Sequence, residues 1–253
     1  MGEHVAPTTP AKKKRSNIFW NIVGVVGELL ITFAIIVGLF SVWQLYWTTY
    51  EVAGQVSQTI ASYEEEHQPA KRTLGEVRTD DPPAFDREVG DGEVYGLVHV
   101  PTWDWMKIPL AEGTTSYVLD QGWAGHYDMT TQPGGVGNFS IAGHRRTYGN
   151  NFRWIDRLTQ GDKVVVEVDD HYLVYSMVSS EIIDATDPTQ MRVVAPVIDD
   201  VSWSETPTER WMTMTTCHPE YGNWQRFIVH LKFESWTPKD TGVPAELVDE
   251  PQN

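Results

Sequence analysis

The stretch from Ile18, IFWNIVGVVGELLITFAIIVGLFSVWQLYWTTY, constrains this chain more than any other. No charged residue occurs from Leu29 to Tyr50, and those 22 residues match the ~20 that a helix needs to cross a bilayer's hydrocarbon core. Trp43, Tyr46 and Trp47 gather at its far end, where amphipathic rings favour the headgroup interface. A cleaved signal peptide has a shorter apolar region and a small-residue cleavage site, so the stretch reads as an uncleaved anchor. Lys12, Lys13, Lys14 and Arg15 precede it and are expected to stay in the cytoplasm. This divides the chain into a cytoplasmic basic tail (1–17), a transmembrane anchor (18–48) and an extracytoplasmic remainder. Glu28 is costly within a span and reads as functional there. A span starting near Leu29 instead puts that carboxylate at the inner interface, which is the expectation.

Charge separates the two ends. The first 50 residues carry four basic and two acidic side chains, leaving 15 basic and 33 acidic residues beyond, a balance of −18. A surface of that sign excludes nucleic acid as a partner, because phosphate binding requires a basic face. Residues 49–92 are polar, with an acidic run at Glu64–Glu66 and the pair Pro82–Pro83. They read as a solvated linker with a short helix from Gln55 to Glu66.

From residue 93 to 238 the texture is β. VYGLVHV, WMKIPL, GNFSIAGH, DKVVVEV, HYLVYSMVSSEII, RWMTMTTC and RFIVHLKFESW are runs rich in branched and aromatic residues, bounded by Gly, Pro and Asp. Val164, Val166 and Val168 alternate as a half-buried strand does, and Asp169–Asp170 suits a turn. One segment, NFRWIDRL, has helical spacing. So many short strands with few helices predict an antiparallel barrel or sandwich, followed by a C-terminal tail (239–253).

The chemistry centres on MTMTTCHPEYGNWQRF, which holds the only cysteine, Cys217. A lone thiol cannot form a disulfide within its own chain; it is either a buried inert residue or a nucleophile. Pro219 ends the strand just after it, so Cys217 sits near a strand terminus, where sites gather. A nucleophilic thiol needs a histidine partner. His4 and His67 lie in polar flanks, His171 reads as a solvated hairpin residue, and His99 and His230 read as satisfied strand histidines. His126, His144 and His218 remain. His218 is adjacent to Cys217 and therefore faces the opposite side of a strand, whereas His144 closes the strand NFSIA through Gly143. Arg226 opens the strand after the cysteine loop, where a guanidinium is either solvated or ion-paired, or else stabilises an oxyanion. A metal site drawn from His126, His144, Cys217 and His218 has no compact ligand spacing to support it, so no metal and no cofactor is expected.

These residues carry a resemblance. TMTTC (Thr213–Cys217) is similar to the Thr-Leu-x-Thr-Cys signature of sortases, with the volume-conserving Met214 in place of Leu. AGHR resembles the surroundings of the sortase histidine, and RFIVH the strand that starts with its arginine. With the GHY…GNFSIAGHR block, the chain looks most like class E sortases of high-GC Gram-positive bacteria over the anchor and about residues 94–236. The resemblance implies an all-β fold: an eight-stranded β-barrel with short helices behind one membrane helix.

The same resemblance implies a cysteine transpeptidase. Cys217 is then the nucleophile, His144 the acid and base, and Arg226 the group that steadies the substrate carbonyl or oxyanion. The implied partners are secreted proteins with a C-terminal sorting signal, cut between Thr and Gly, and a cell-wall precursor amine on lipid-linked peptidoglycan. Class E enzymes prefer Leu-Ala-x-Thr-Gly to Leu-Pro-x-Thr-Gly, a preference associated with a tyrosine; Tyr127 in GHYD is the candidate, with Thr215 and Thr216 lining the same groove. Glu220 and Trp224 depart from the family's pattern in the Cys–Arg loop and bear on selectivity. DDPPAFD resembles the lid of pilin-polymerising sortases only weakly, its spacing being different, and reads as linker. Two alternatives stay open: a pilin polymerase that uses a Lys amine, and an anchored binding module with an inert cysteine.

Overall fold

The computed structural model describes residues 18–67 and 70–251; the basic tail expected at 1–17 lies outside the described residues. The chain divides into two compact units, Met1–Gln44 and Leu45–Asn253. Helix α1 covers Ile18–His67. Within the first unit its segment Phe19–Trp43, 25 residues with mean hydropathy 2.5 and none of it buried, is long and apolar enough to cross a membrane. That segment begins upstream of the expected Leu29 and includes Glu28, because Phe19, Trp20, Ile22, Val23, Val25 and Val26 make the preceding turns apolar as well.

The second unit is a closed barrel of eight strands. They are β1 (Val94–Val100), β2 (Met106–Glu112), β3 (Ala124–His126), β4 (Gly137–Ala142), β5 (Lys163–Val168), β6 (His171–Asp184), β7 (Arg210–His218) and β8 (Gln225–Pro238). Their order round the barrel is β1-β2-β3-β4-β7-β8-β6-β5. The pairs β2–β3 and β4–β7 are parallel and the rest antiparallel. Alternation sends Phe139, Ile141, Val164, Val166, Val168, Met212, Met214, Val229 and Leu231 into one core. Seven of the strands follow the expected runs. The three-residue β3 is too short to display a period. NFRWIDRL forms turns and a single 3-10 turn at Ile155–Arg157, too short a segment to sustain a helix; Phe152 and Ile155 plug the barrel instead.

The segments flanking the barrel are attached to it. α1 runs on through Glu64–Glu66, so the helix expected from Gln55 is part of a longer one. Leu74 bridges Val243, Arg78 bridges Trp236, and the Phe85 ring lies 5.3 Å from Tyr95. Val243 and Leu247 of the tail cover Val165, Tyr172 and Val174 on the outside of β5 and β6. A polar linker thus adheres through backbone bridges and the packing of Phe85. His171, expected to be solvated, is 3% exposed, with its ring 6.1 Å from Trp236.

A buried charge network ties these pieces together. His99 Nδ1 and Nε2 each lie 2.9 Å from a carboxylate, of Glu250 and Glu167 respectively. Both ring nitrogens must therefore donate, which only the imidazolium can do. Lys239 Nζ is 2.8 Å from Glu167, Lys107 Nζ is 2.6 Å from Glu64 of α1, and Arg72 pairs with Glu250. Burial pushes Glu167 up, but hydrogen bonds and charge from His99 and Lys239 prevail and hold it at about 2. Burial likewise pushes His99 down, and its two glutamates more than reverse this, raising it above the ordinary 6.5.

Stability from a raised histidine is complete below its unfolded value and is lost as pH rises through the folded one. The melting-temperature gap between wild type and His99→Gln is expected to be widest below about pH 6.5 and to shrink as the pH is raised. Glu167→Gln leaves the buried Lys239 ammonium without its carboxylate and His99 with Glu250 alone, and is expected to cost about 3–5 kcal/mol, read from denaturant unfolding near neutrality.

Candidate active site

Three strand ends meet at one rim of the barrel. β4 and β7 run in parallel, so the segments leaving them emerge together, and β8 returns antiparallel from the same rim. Cys217 and Arg226 are direct cross-strand partners, which puts both side chains on one face. β4 pairs Ala142 with Thr215, and Gly143 N donates to Thr215 O at 3.1 Å. Two residues further along the chain from each stand His144, just past the end of β4, and Cys217, within β7. The register brings the cysteine, the histidine and the arginine to one corner.

Cys217 is half-buried and makes no side-chain hydrogen bond among the described residues. His144 is fixed from two sides. Its Nε2 lies 2.8 Å from Asp120 Oδ1, and its ring lies 5.3 Å from that of Tyr148 at a 32° tilt. Because a carboxylate accepts, Nε2 carries the hydrogen, and Nδ1 is the nitrogen left for proton exchange. Asp120 directly follows the short helix α2 (Ser116–Leu119). Nothing in SYVLDQG distinguishes it in the sequence; only the fold brings it to a histidine 24 residues on.

Arg226 Nη1 donates to two backbone carbonyls, Asn223 O at 2.8 Å and Gln225 O at 2.9 Å. It has no carboxylate partner among the described residues, so its charge and remaining N–H donors are available to a ligand. Of the two ordinary states of a strand-start arginine, solvated or ion-paired, the structure lacks the ion pair among the described residues.

The outer face of β7 and β8 below the corner forms a floor of Thr215 and Ile228, paired across the strands. Ile183, Val193, Val194, Tyr127 and Trp203 gather on Ile228. Tyr127 Oη and Thr215 Oγ1 are 2.8 Å apart. Burial pushes the Tyr127 phenol up, which favours its neutral form, and either hydroxyl can donate in this pair. Thr216 belongs to the opposite face. Its hydroxyl donates to Gly143 O at 2.6 Å, which anchors the backbone just before His144 and leaves the groove to Thr215.

The remaining histidines are accounted for. His126 is fully buried between Glu112 Oε2 (2.8 Å from Nδ1) and Thr130 Oγ1 (3.0 Å from Nε2). His218 Nδ1 accepts from Arg145 Nη1 at 2.8 Å on the far side of β7, and burial and the Arg145 charge push it down. His126, His144, Cys217 and His218 therefore do not converge as a metal site among the described residues. His99 and His230 are buried strand histidines with carboxylate partners, as expected. In the Cys–Arg loop, Glu220 pairs with Arg146, whose guanidinium lies 4.4 Å from the Tyr221 ring centroid, while Tyr221 and Trp224 are exposed.

A closed mixed barrel with a thiol, an imidazole and a carboxylate-free guanidinium at one rim defines a cysteine-site β-barrel. The sortase domain model matches residues 98–234, and the chain belongs to the sortase family. It is 36% identical over 229 residues to sortase SrtE1 of Streptomyces coelicolor, a match covering 88% of this chain and 60% of that relative's length. Among solved structures, the SrtA sortase from Actinomyces oris is 44% identical with a TM-score of 0.64, over 70% of this chain and all of that one. Sortase E1 from Streptomyces coelicolor, with a tripeptide in its active site, is 38% identical with a TM-score of 0.55, over 63% of this chain and 99% of that one. The class E likeness expected from the motifs agrees with these relatives.

Proposed function

We propose that this chain is a membrane-anchored cysteine transpeptidase that cuts a sorting signal between Thr and Gly and passes the acyl group to a cell-wall precursor amine. The observation that carries the reading is the cross-strand pairing of Cys217 with Arg226 beside the end of the parallel strand that leads to His144. The Cys217 thiolate attacks the carbonyl carbon of the Thr–Gly bond. The oxyanion that forms is met by the Arg226 guanidinium. His144, which has taken the thiol proton at Nδ1, gives that proton to the departing glycine amine, leaving a thioester on Cys217. An incoming amine then attacks the thioester, His144 takes up its proton, and the thiolate is released.

Tyr127, hydrogen-bonded to Thr215 on the groove floor, is the residue that favours Leu-Ala-x-Thr-Gly over Leu-Pro-x-Thr-Gly. The apolar helix Phe19–Trp43 anchors the chain in a single pass, with the N-terminus cytoplasmic and the barrel outside. The pilin-polymerising reading lacks support. Asp80 accepts from Trp236 Nε1 at 3.0 Å, and Asp81 pairs with Arg210 at 3.1 Å. Arg210 begins β7, roughly 23 Å from Cys217 by strand rise, so DDPPAFD is fastened at the opposite end and is no lid.

The test incubates the full chain in detergent with each peptide and an amine, and weighs the products. Cleavage between Thr and Gly with transfer to the amine is expected, faster for Leu-Ala. Tyr127→Phe removes one hydrogen bond, worth about 1 kcal/mol, and is expected to narrow the Leu-Ala preference about fivefold while leaving Leu-Pro turnover unchanged. An unaltered ratio would remove Tyr127 from the selectivity account.

A further inference from the structure

We infer that Asp120 is a positioning residue for His144, fixing its tautomer and the direction of its reactive nitrogen. The inference rests on the transpeptidase reading for its catalytic meaning, but the contact stands on geometry alone. Asp120 Oδ1 is 2.8 Å from His144 Nε2. With the neutral ring's single N–H committed to that carboxylate, Nδ1 is left as the acceptor. When His144 has collected a proton, the carboxylate faces the cation formed. This is the general arrangement in which a base is oriented by a third group.

The contact belongs to a built structure and not to a chance meeting of surface side chains. Both residues are partly exposed, 33% for Asp120 and 25% for His144, so as an ion pair it contributes little stability. Its two loops are nevertheless locked together independently of it. Asn151 Nδ2 donates to Trp123 O at 2.8 Å, tying the segment after His144 to the segment after Asp120. Gly122 and Gly149 meet at the junction, both at positive φ (77° and 91°). A methyl group on Gly122 would come within 2.6 Å of Val52 Cγ1 and 3.0 Å of Tyr148 O. Val52 of α1, 6% exposed, thus seals the joint between the loop that carries Asp120 and the loop that carries His144 and Tyr148. The ring is held by Asp120 at one edge and by Tyr148 across its face, with little freedom to turn Nδ1 away.

Full chain in detergent is prepared as wild type, Asp120→Ala and Asp120→Asn, with histidine rings labelled in ¹⁵N. In wild type the His144 ring, assigned by its loss in His144→Gln, is expected as the Nε2–H tautomer; in Asp120→Ala it is expected as a mixture. With sorting peptide and amine, Asp120→Ala is expected to lower kcat about 10–100-fold, as a misdirected catalytic group does, with KM changed less than twofold. Asp120→Asn keeps an acceptor oxygen and is expected to recover part of the rate. The same tautomer ratio in wild type and Asp120→Ala would overturn the inference, as would unchanged kcat in a wild type that turns over. A wild type that cuts no peptide would sink the transpeptidase reading instead, and the tautomer measurement would still decide whether Asp120 orients the ring.

Discussion

Cys217→Ala is expected to abolish cleavage and transfer together while leaving the barrel folded. The thiol is the only group at the site able to hold the acyl chain while one amine departs and another arrives. Without it, Arg226 and His144 surround a peptide bond with nothing to attack it. Mass spectrometry should find the thioacyl adduct on wild type trapped before amine is added, and none on the variant; loss of a covalent nucleophile lowers kcat by on the order of 10⁶. Stability should barely move, because Cys217 is half-buried and forms no side-chain hydrogen bond among the described residues. That separates the result from misfolding, and equal melting temperatures would check it. Folded wild type should also react with iodoacetamide, since the thiol is reachable. Residual turnover in the variant would remove Cys217 from the nucleophile's role. Resistance to alkylation joined to the absence of peptide cleavage would favour an anchored binding module with an inert cysteine.

The corner of the barrel was readable in the sequence to the extent that strand ends were. Cys217 before Pro219, His144 after Gly143 and Arg226 at the head of RFIVH each carry a local mark of termination, and the motifs surrounding them belong to the sortase family. What no local mark conveyed was register. Adjacency predicts that His218 faces away from Cys217, and it does, yet the same alternation removes Thr216 from the groove, which the spelling TTC does not reveal. Asp120 was invisible for the same reason: its partner is 24 residues away and the contact exists only once β3 and β4 are paired. The linker misled through composition. Polar residues suggested a solvated stalk, whereas backbone bridges at Leu74 and Arg78 and the packing of Phe85 against the core suffice to fasten it.

Arg226 sets the second large effect. Its guanidinium is braced by the carbonyls of Asn223 and Gln225, and its position opposite Cys217 is imposed by the β7–β8 ladder. A cation held by neutral carbonyls retains its charge for a developing oxyanion and needs little reorganisation as that charge appears. Arg226→Ala is expected to lower kcat about 10²–10³-fold, the usual cost of one oxyanion donor, with KM moving far less. Arg226→Lys should recover less than about a tenth of the lost rate, because a single ammonium cannot bind two carbonyls and present a fork to substrate as well. Single-turnover kinetics locate the loss: formation of the thioester should slow in both variants. If KM rises and the single-turnover rate at saturating peptide is unchanged, Arg226 binds the ground-state carbonyl and contributes nothing specific to the transition state. If melting temperature falls in step with activity, its part is to hold the Cys–Arg loop through Asn223 and Gln225. Only a kcat loss at constant stability, poorly rescued by lysine, assigns the guanidinium to the oxyanion, because neither loop bracing nor ground-state binding depends on the fork in that way.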